Sequence, residues 1–210
     1  MSRKAGTVSE ETRARLLETA SKEFSEVGFQ KASLRSICSK AGVTTGALYF
    51  FFEGKDDLMA HVIGPVCDKL FAYVREYYGS DAYEKHRGFF ATEQQDYESA
   101  LGLYRLIQEN GQVASILLGN RQHKAVAAFF DEVVDDLVGY LKSVVRATNP
   151  NLLESPQYDE YTLQWLARVQ MDAFLGLFEL NMDDERTNHQ VRLVVRSFRG
   201  AFEALLSQNS

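Results

Sequence analysis

The stretch Ser39–Leu58, "SKAGVTTGALYFFFEGKDDL", places four aromatic residues in a row, Tyr49, Phe50, Phe51 and Phe52, just after a glycine and two threonines. Successive side chains of a helix point about 100° apart, so no helix can turn all four inward. The flanks define what the run belongs to. Ser33 can cap a short helix whose inward residues are Leu34, Ile37, Cys38 and Ala41, and Gly42 can stop that helix in a left-handed conformation. Thr44 or Thr45 then caps a second short helix carrying Ala47, Leu48 and the aromatics, which ends at Glu53-Gly54. Two short helices joined by a tight, glycine-containing turn describe a helix-turn-helix, here over about residues 32–52.

Working outward, Thr7, Ser9, Glu10 and Glu11 supply helix-start chemistry, and Leu16, Leu17, Ala20, Phe24 and Val27 form one apolar face that ends at Gly28. On the other side a long helix runs from Lys55 to Tyr78, with Asp56 and Asp57 opposing its dipole and Pro65 expected to kink it. The periodicity predicts further helices over 81–110, 112–119, 121–147, 158–182 and 185–207, the polar loop "ATNPNLLESPQ" separating the last two from the rest. With three prolines and no alternating strand-length run, the chain reads as all-α, with about nine helices. It divides into a head, residues 1–55, and a larger helical domain, residues 56–210.

A chain of 210 residues, 45% hydrophobic and 25% charged, is long enough to bury a sizeable core. It has no run of eighteen apolar residues, and its first twenty positions break to charge early, so the expectation is a cytoplasmic protein without a membrane segment. Cys38 and Cys67 lie in helical stretches and read as reduced, packed thiols. The four histidines lack metal-ligand spacing, and no G-x-S-x-G, G-x-G-x-x-G or phosphate-loop pattern is present, so neither a metal, a cofactor nor an enzyme is expected. The net charge of −6 is unevenly spread: residues 1–55 carry +3 and residues 56–210 carry −9. Only the head is suited to a polyanion.

A helix-turn-helix reads DNA by placing the leading end of its second helix in the major groove, where small or polar residues can reach base edges. Thr44, Thr45, Gly46 and Ala47 meet that need: two hydroxyls, a close-approach glycine and a methyl. Direction around the helix sends Leu48 and Phe52 to the core and Tyr49 toward the nucleic acid. Phe50 and Phe51 lie between, and their apolar character reads as packing.

These residues resemble the TetR family of bacterial transcriptional regulators. The likeness covers roughly the first 60 positions and rests on the "AGV" turn, the Gly46-x-Leu48-Tyr49-x-x-Phe52 recognition helix and Lys55-x-x-Leu58. The resemblance implies that Ser33 and Tyr49 touch phosphate, that Arg35 reaches a base or the backbone, that Thr44, Thr45, Gly46 and Ala47 lead the recognition helix, and that Lys55 binds phosphate. Two positions depart from the family pattern: Thr45 stands where lysine is common, and Phe51 where histidine or tyrosine is common.

The resemblance also implies a homodimer on a palindromic double-stranded DNA operator, most simply a repressor released by a small-molecule effector. In the second half, the helix predicted at 158–182 shows two apolar stripes, which suits one face on its own core and one on a partner copy. Leu166, Val169, Ala173, Val191, Val195, Phe198 and Phe202 are the expected dimer contacts. A partly apolar effector pocket is expected among Phe89, Phe90, Tyr104, Phe129, Trp165 and Gln170, with Gln94 or Arg105 as further polar partners. An all-helical enzyme and a ligand carrier that has lost DNA binding are the competing readings.

Overall fold

The computed structural model describes residues 2–78, 92–148, 150–155, 158–180 and 182–207. Among the described residues all regular structure is helical. In chain order the α-helices are α1 (Ser2–Val27), α2 (Leu34–Ala41), α3 (Thr45–Phe51), α4 (Lys55–Tyr78), α5 (Glu93–Glu109), α6 (Gly111–Gly119), α7 (Lys124–Thr148), α8 (Glu160–Leu175) and α9 (Asp184–Ser207). Short 3-10 turns lie at Pro150–Glu154 and Gly176–Glu179. No described helix is long and apolar enough to cross a membrane.

The boundaries follow local chemistry. Helix α1 runs from Ser2, upstream of the caps expected at Thr7 and Ser9, and ends at Gly28, whose φ of 80° is left-handed. Helix α4 continues through Pro65. Helix α5 starts at Glu93, where the Thr92 hydroxyl accepts from the Gln95 N–H at 3.1 Å; the part of the predicted 81–110 helix before residue 92 lies outside the described residues. Helix α8 ends at Leu175, short of the predicted 182, because the chain tightens into a 3-10 turn from Gly176.

The chain forms two compact units. The first comprises residues 1–69 and 107–129, and the second residues 70–106 and 130–210. The first is thus larger than a head of residues 1–55. Its core joins Leu16, Ala20 and Phe24 of α1 to Ile37 and Cys38 of α2, Leu48 and Phe52 around α3, and Leu58 and Met59 of α4, all buried. Helix α6 packs on α1 and buries Ile116 and Leu117. Asn120 just beyond it accepts from the Phe29 N–H at 3.3 Å and donates to the Ile116 carbonyl at 2.8 Å. The buried His123 ring sits edge-on to Phe29, centroids 4.4 Å apart, with Nε2 3.1 Å from the Asp56 carboxylate.

In the second unit Val134, Val138, Leu141, Val144 and Val145 of α7 are buried. Tyr97, Ala100, Tyr104, Leu177, Val191 and Val195 form a core cluster. Arg192, Arg196 and Arg199 of α9 pair with Glu93 and Asp96 of α5, and the Arg192 guanidinium lies 3.9 Å from the Tyr97 ring centre. Tyr73 donates to the Ser99 carbonyl at 2.9 Å, its hydroxyl so close to Gly102 that a Cβ there would stand 2.2 Å away. Glycine is needed at that position because any side chain collides with the tyrosine. Cys38 and Cys67 are free and buried, and burial pushes both thiols up, Cys67 to about 12.

Candidate nucleic-acid interface

The helix-turn-helix is built by three local devices. Ser33, in extended conformation, caps α2 by accepting from the Ser36 N–H at 3.1 Å. Gly42 closes α2 with φ 66° and ψ 36°, its N–H reaching Cys38 and Ser39 while the Val43 N–H bonds the Cys38 carbonyl at 3.0 Å. A side chain at that φ would be strained, which is why the turn uses glycine. Thr44 then caps α3, its hydroxyl oxygen accepting from the Ala47 N–H at 3.1 Å.

Two further contacts fix α2 and α3 against the rest of the unit. Glu23 of α1 is buried, and its carboxylate takes a 2.5 Å ion pair from Lys40 of α2. Hydrogen bonds from Lys40 and Ser36 hold the Glu23 carboxyl below its ordinary value, and the same pair raises Lys40. Phe52, at the end of α3, is buried beside Arg13, whose guanidinium lies 5.6 Å from its ring centre, and beside the His61 ring at 5.3 Å. The inward anchors Leu48 and Phe52 agree with the sequence reading.

What remains facing solvent is the surface expected to meet DNA. Ser33, Arg35, Thr44, Thr45 and Gly46 are exposed and Ala47 is half-buried. Tyr49 is 59% exposed. The capping hydroxyls of Ser33 and Thr44 spend an oxygen lone pair on the backbone and keep their hydrogen for an outside acceptor. Two residues depart from expectation. Phe50, expected to pack, is 78% exposed, because it lies almost diametrically opposite the Leu48 anchor on the helix. Lys55 donates to the carbonyls of Phe29, Ala32 and Gln30 at 2.8, 3.0 and 3.4 Å, with its ammonium 4.4 Å from the Phe29 ring centre. Three carbonyls match its three hydrogens, so Lys55 clamps the α1–α2 turn, a role the sequence did not announce.

The residues expected to form a pocket and a dimer contact are redistributed in the second half. Phe89 and Phe90 lie outside the described residues. Tyr104 stacks on Phe178 at 4.5 Å in the core of the second unit, Phe129 is buried in the first unit, and Gln170 is half-buried. Gln94 and Arg105 are exposed. Trp165 is 56% exposed. Among the expected dimer contacts, Val191, Val195 and Phe202 are buried in their own chain, since the α9 register turns them onto the core, and Leu166 and Phe198 are half-buried. Val169 and Ala173 are exposed, and with Tyr161 and Trp165 they make an outward stripe at four-residue spacing on α8. The inward stripe is Leu163, Ala167 and Met171, which the sequence reading missed.

Comparison with known proteins bears on the same segment. Residues 16–62 match the family model described as bacterial regulatory proteins, tetR family. The HTH-type transcriptional regulator SrpR of Pseudomonas putida is 41% identical over 63 residues, which are 30% of this chain and 30% of SrpR. The HTH-type transcriptional repressor KstR2 of Mycobacterium tuberculosis H37Rv is 35% identical over 92 residues, 43% of this chain and 46% of KstR2. The chain therefore spans less than half the length of these curated relatives. Solved structures extend the likeness of fold along the chain. A transcriptional regulator from Rhodococcus sp. Rha1 aligns with a TM-score of 0.59 at 16% identity, covering 90% of this chain and 96% of that one. A TetR family transcription regulator from Marinobacter aquaeolei VT8 aligns with a TM-score of 0.56 at 16% identity, covering 94% and 98%. The helix-turn-helix segment, residues 16–62, is thus similar to the tetR family of bacterial regulatory proteins, and beyond it the likeness is one of fold.

Proposed function

We propose that the chain is a DNA-binding transcriptional regulator acting as a homodimer, a repressor that leaves a palindromic operator when a small molecule binds its second unit. The observation that carries the reading is the solvent-facing surface of α2 and α3: Arg35, Thr44, Thr45, Gly46 and Tyr49 are held outward by buried Leu48 and Phe52, in the segment that matches the family. Hydroxyls and one guanidinium on a rigid frame suit base edges and phosphates. The larger number of acidic residues lies outside the head, so that surface is also where a polyanion meets least repulsion.

The dimer is supported by Tyr161, Trp165, Val169 and Ala173 on α8 and Leu193 on α9, apolar or aromatic side chains that a lone protomer leaves in water. A second copy would bury them and would set two recognition helices about 34 Å apart, one turn of duplex. The repressor reading takes support from a relative named as a repressor, and the effector from the family resemblance. The reading gives the chain no catalytic role.

Binding to a random-sequence duplex, measured by fluorescence anisotropy from about 50 to 200 mM salt, tests the reading. A head with six or more phosphate contacts per dimer weakens by roughly 10³-fold or more across that range. Affinity that is absent at low salt, or flat with salt, would favour the ligand carrier.

A further inference from the structure

Phe50 is the side chain on α3 that the regulator reading leaves without a task. It is more exposed than Tyr49 and stands opposite the buried Leu48, on the ridge that Gly46 occupies one turn earlier. Helical side chains lean toward the amino end, so the Phe50 ring leans over the turn that carries Gly46. That turn has room above it: a Cβ at Gly46 would meet only the Thr44 hydroxyl, at 3.8 Å. The fold itself therefore does not require glycine there, and Gly46 has no positive φ to explain it. What glycine leaves is clearance for something outside the chain.

The chemistry of the ring narrows what that is. Phenylalanine neither donates nor accepts a conventional hydrogen bond, so it cannot read the polar edges of guanine, cytosine or adenine. The major groove presents one apolar group, the 5-methyl of thymine. Resting on the regulator reading above, we infer that Phe50 is a specificity-determining residue that contacts a thymine methyl in each half-site, with Gly46 providing the approach. Its neighbours Thr44, Thr45 and Tyr49 supply the polar contacts around it, and the edge-on Phe51 ring, 5.0 Å away, buttresses it. The exposed aromatic is then covered in the complex and exposed only in the free protein.

The test uses the chain of 210 residues and a duplex selected by it from a random-sequence pool. Each thymine of the selected half-site is replaced in turn by deoxyuridine, which removes only the methyl. One symmetry-related thymine is expected to matter, its replacement weakening wild-type binding by about fourfold per half-site, the worth of one buried methyl. Phe50→Ala is expected to bind the selected duplex more weakly and to be indifferent to that replacement, while Phe50→Leu keeps part of the sensitivity. Because the ring is exposed, both variants should melt at the wild-type temperature. Wild-type protein that selects a sequence but shows no deoxyuridine effect, or Phe50→Ala that keeps the full effect, overturns the role of Phe50 and leaves the regulator reading standing. Wild-type protein that selects no sequence overturns both.

Discussion

Gly46 separates what the fold needs from what the surface does. With only an ordinary 3.8 Å contact awaiting a Cβ, Gly46→Ala is expected to fold normally, gaining up to about 1 kcal/mol from helix propensity, while losing DNA affinity. A melting curve and a gel shift on the same preparation check both halves. Lys55 shows the reverse. Lys55→Met removes a three-carbonyl clamp and a cation–π contact and is expected to destabilise the first unit by about 1–3 kcal/mol in urea unfolding. Unchanged stability with a reduced salt slope for DNA binding would return the residue to the phosphate contact expected from sequence. Its clamp was not legible there, because the acceptors are carbonyls of a turn some 25 positions earlier, and no side-chain pattern announces them. Phe50 was legible in principle: once Leu48 and Phe52 are turned inward, helical direction alone puts residue 50 outside, and reading its hydrophobicity in place of its direction gave the wrong side.

Elements were legible where their ends are local. Ser33, Gly42 and Thr44 set the bounds of α2 and α3 through contacts within a few residues, and each acts as the sequence suggests. The faces of α8 were less so, since Leu163, Ala167 and Met171 on one side and Tyr161, Trp165 and Val169 on the other are both apolar, and only tertiary packing decides which side turns inward. How α1 holds α2 gives a pH prediction. The depressed Glu23 carboxyl contributes stability that is present above its unfolded value near 4.5 and lost as pH falls through the lower folded value. Lys40, raised, contributes stability present below its unfolded value near 10.5 and lost as pH rises through the folded one. Thus acid unfolding of the wild type should steepen below about pH 4.5, and Glu23→Gln should flatten that limb; identical pH profiles would show the pair to be inert. Between α4 and α5, Gly102→Ala is expected to cost about 1–3 kcal/mol by driving a methyl onto a tyrosine held at its hydroxyl by Ser99. Tyr73→Phe in the same chain should recover part of that loss, a coupling that a double-mutant cycle measures.

For the whole molecule, the sequence's uneven charge and its two-striped α8 pointed toward a nucleic-acid-binding head and a self-associating second half. The dimer proposal is tested by Trp165→Glu, which places a charge on the exposed stripe without touching the core. Sedimentation should show a monomer with unchanged helix content, and affinity for a two-half-site duplex should fall much further than for a single half-site. A dimer that survives would move the interface off this face. The account as a whole turns on whether the outward surface of α2 and α3 reads a defined sequence as a pair. Footprinting on the DNA flanking the chain's own gene measures this directly. The prediction is a protected inverted repeat whose half-site centres lie about one helical turn apart, lost with Gly46→Ala or Phe50→Ala at protein concentrations where the wild type protects fully. Protection that is uniform along the fragment, or identical in those variants, would contradict it.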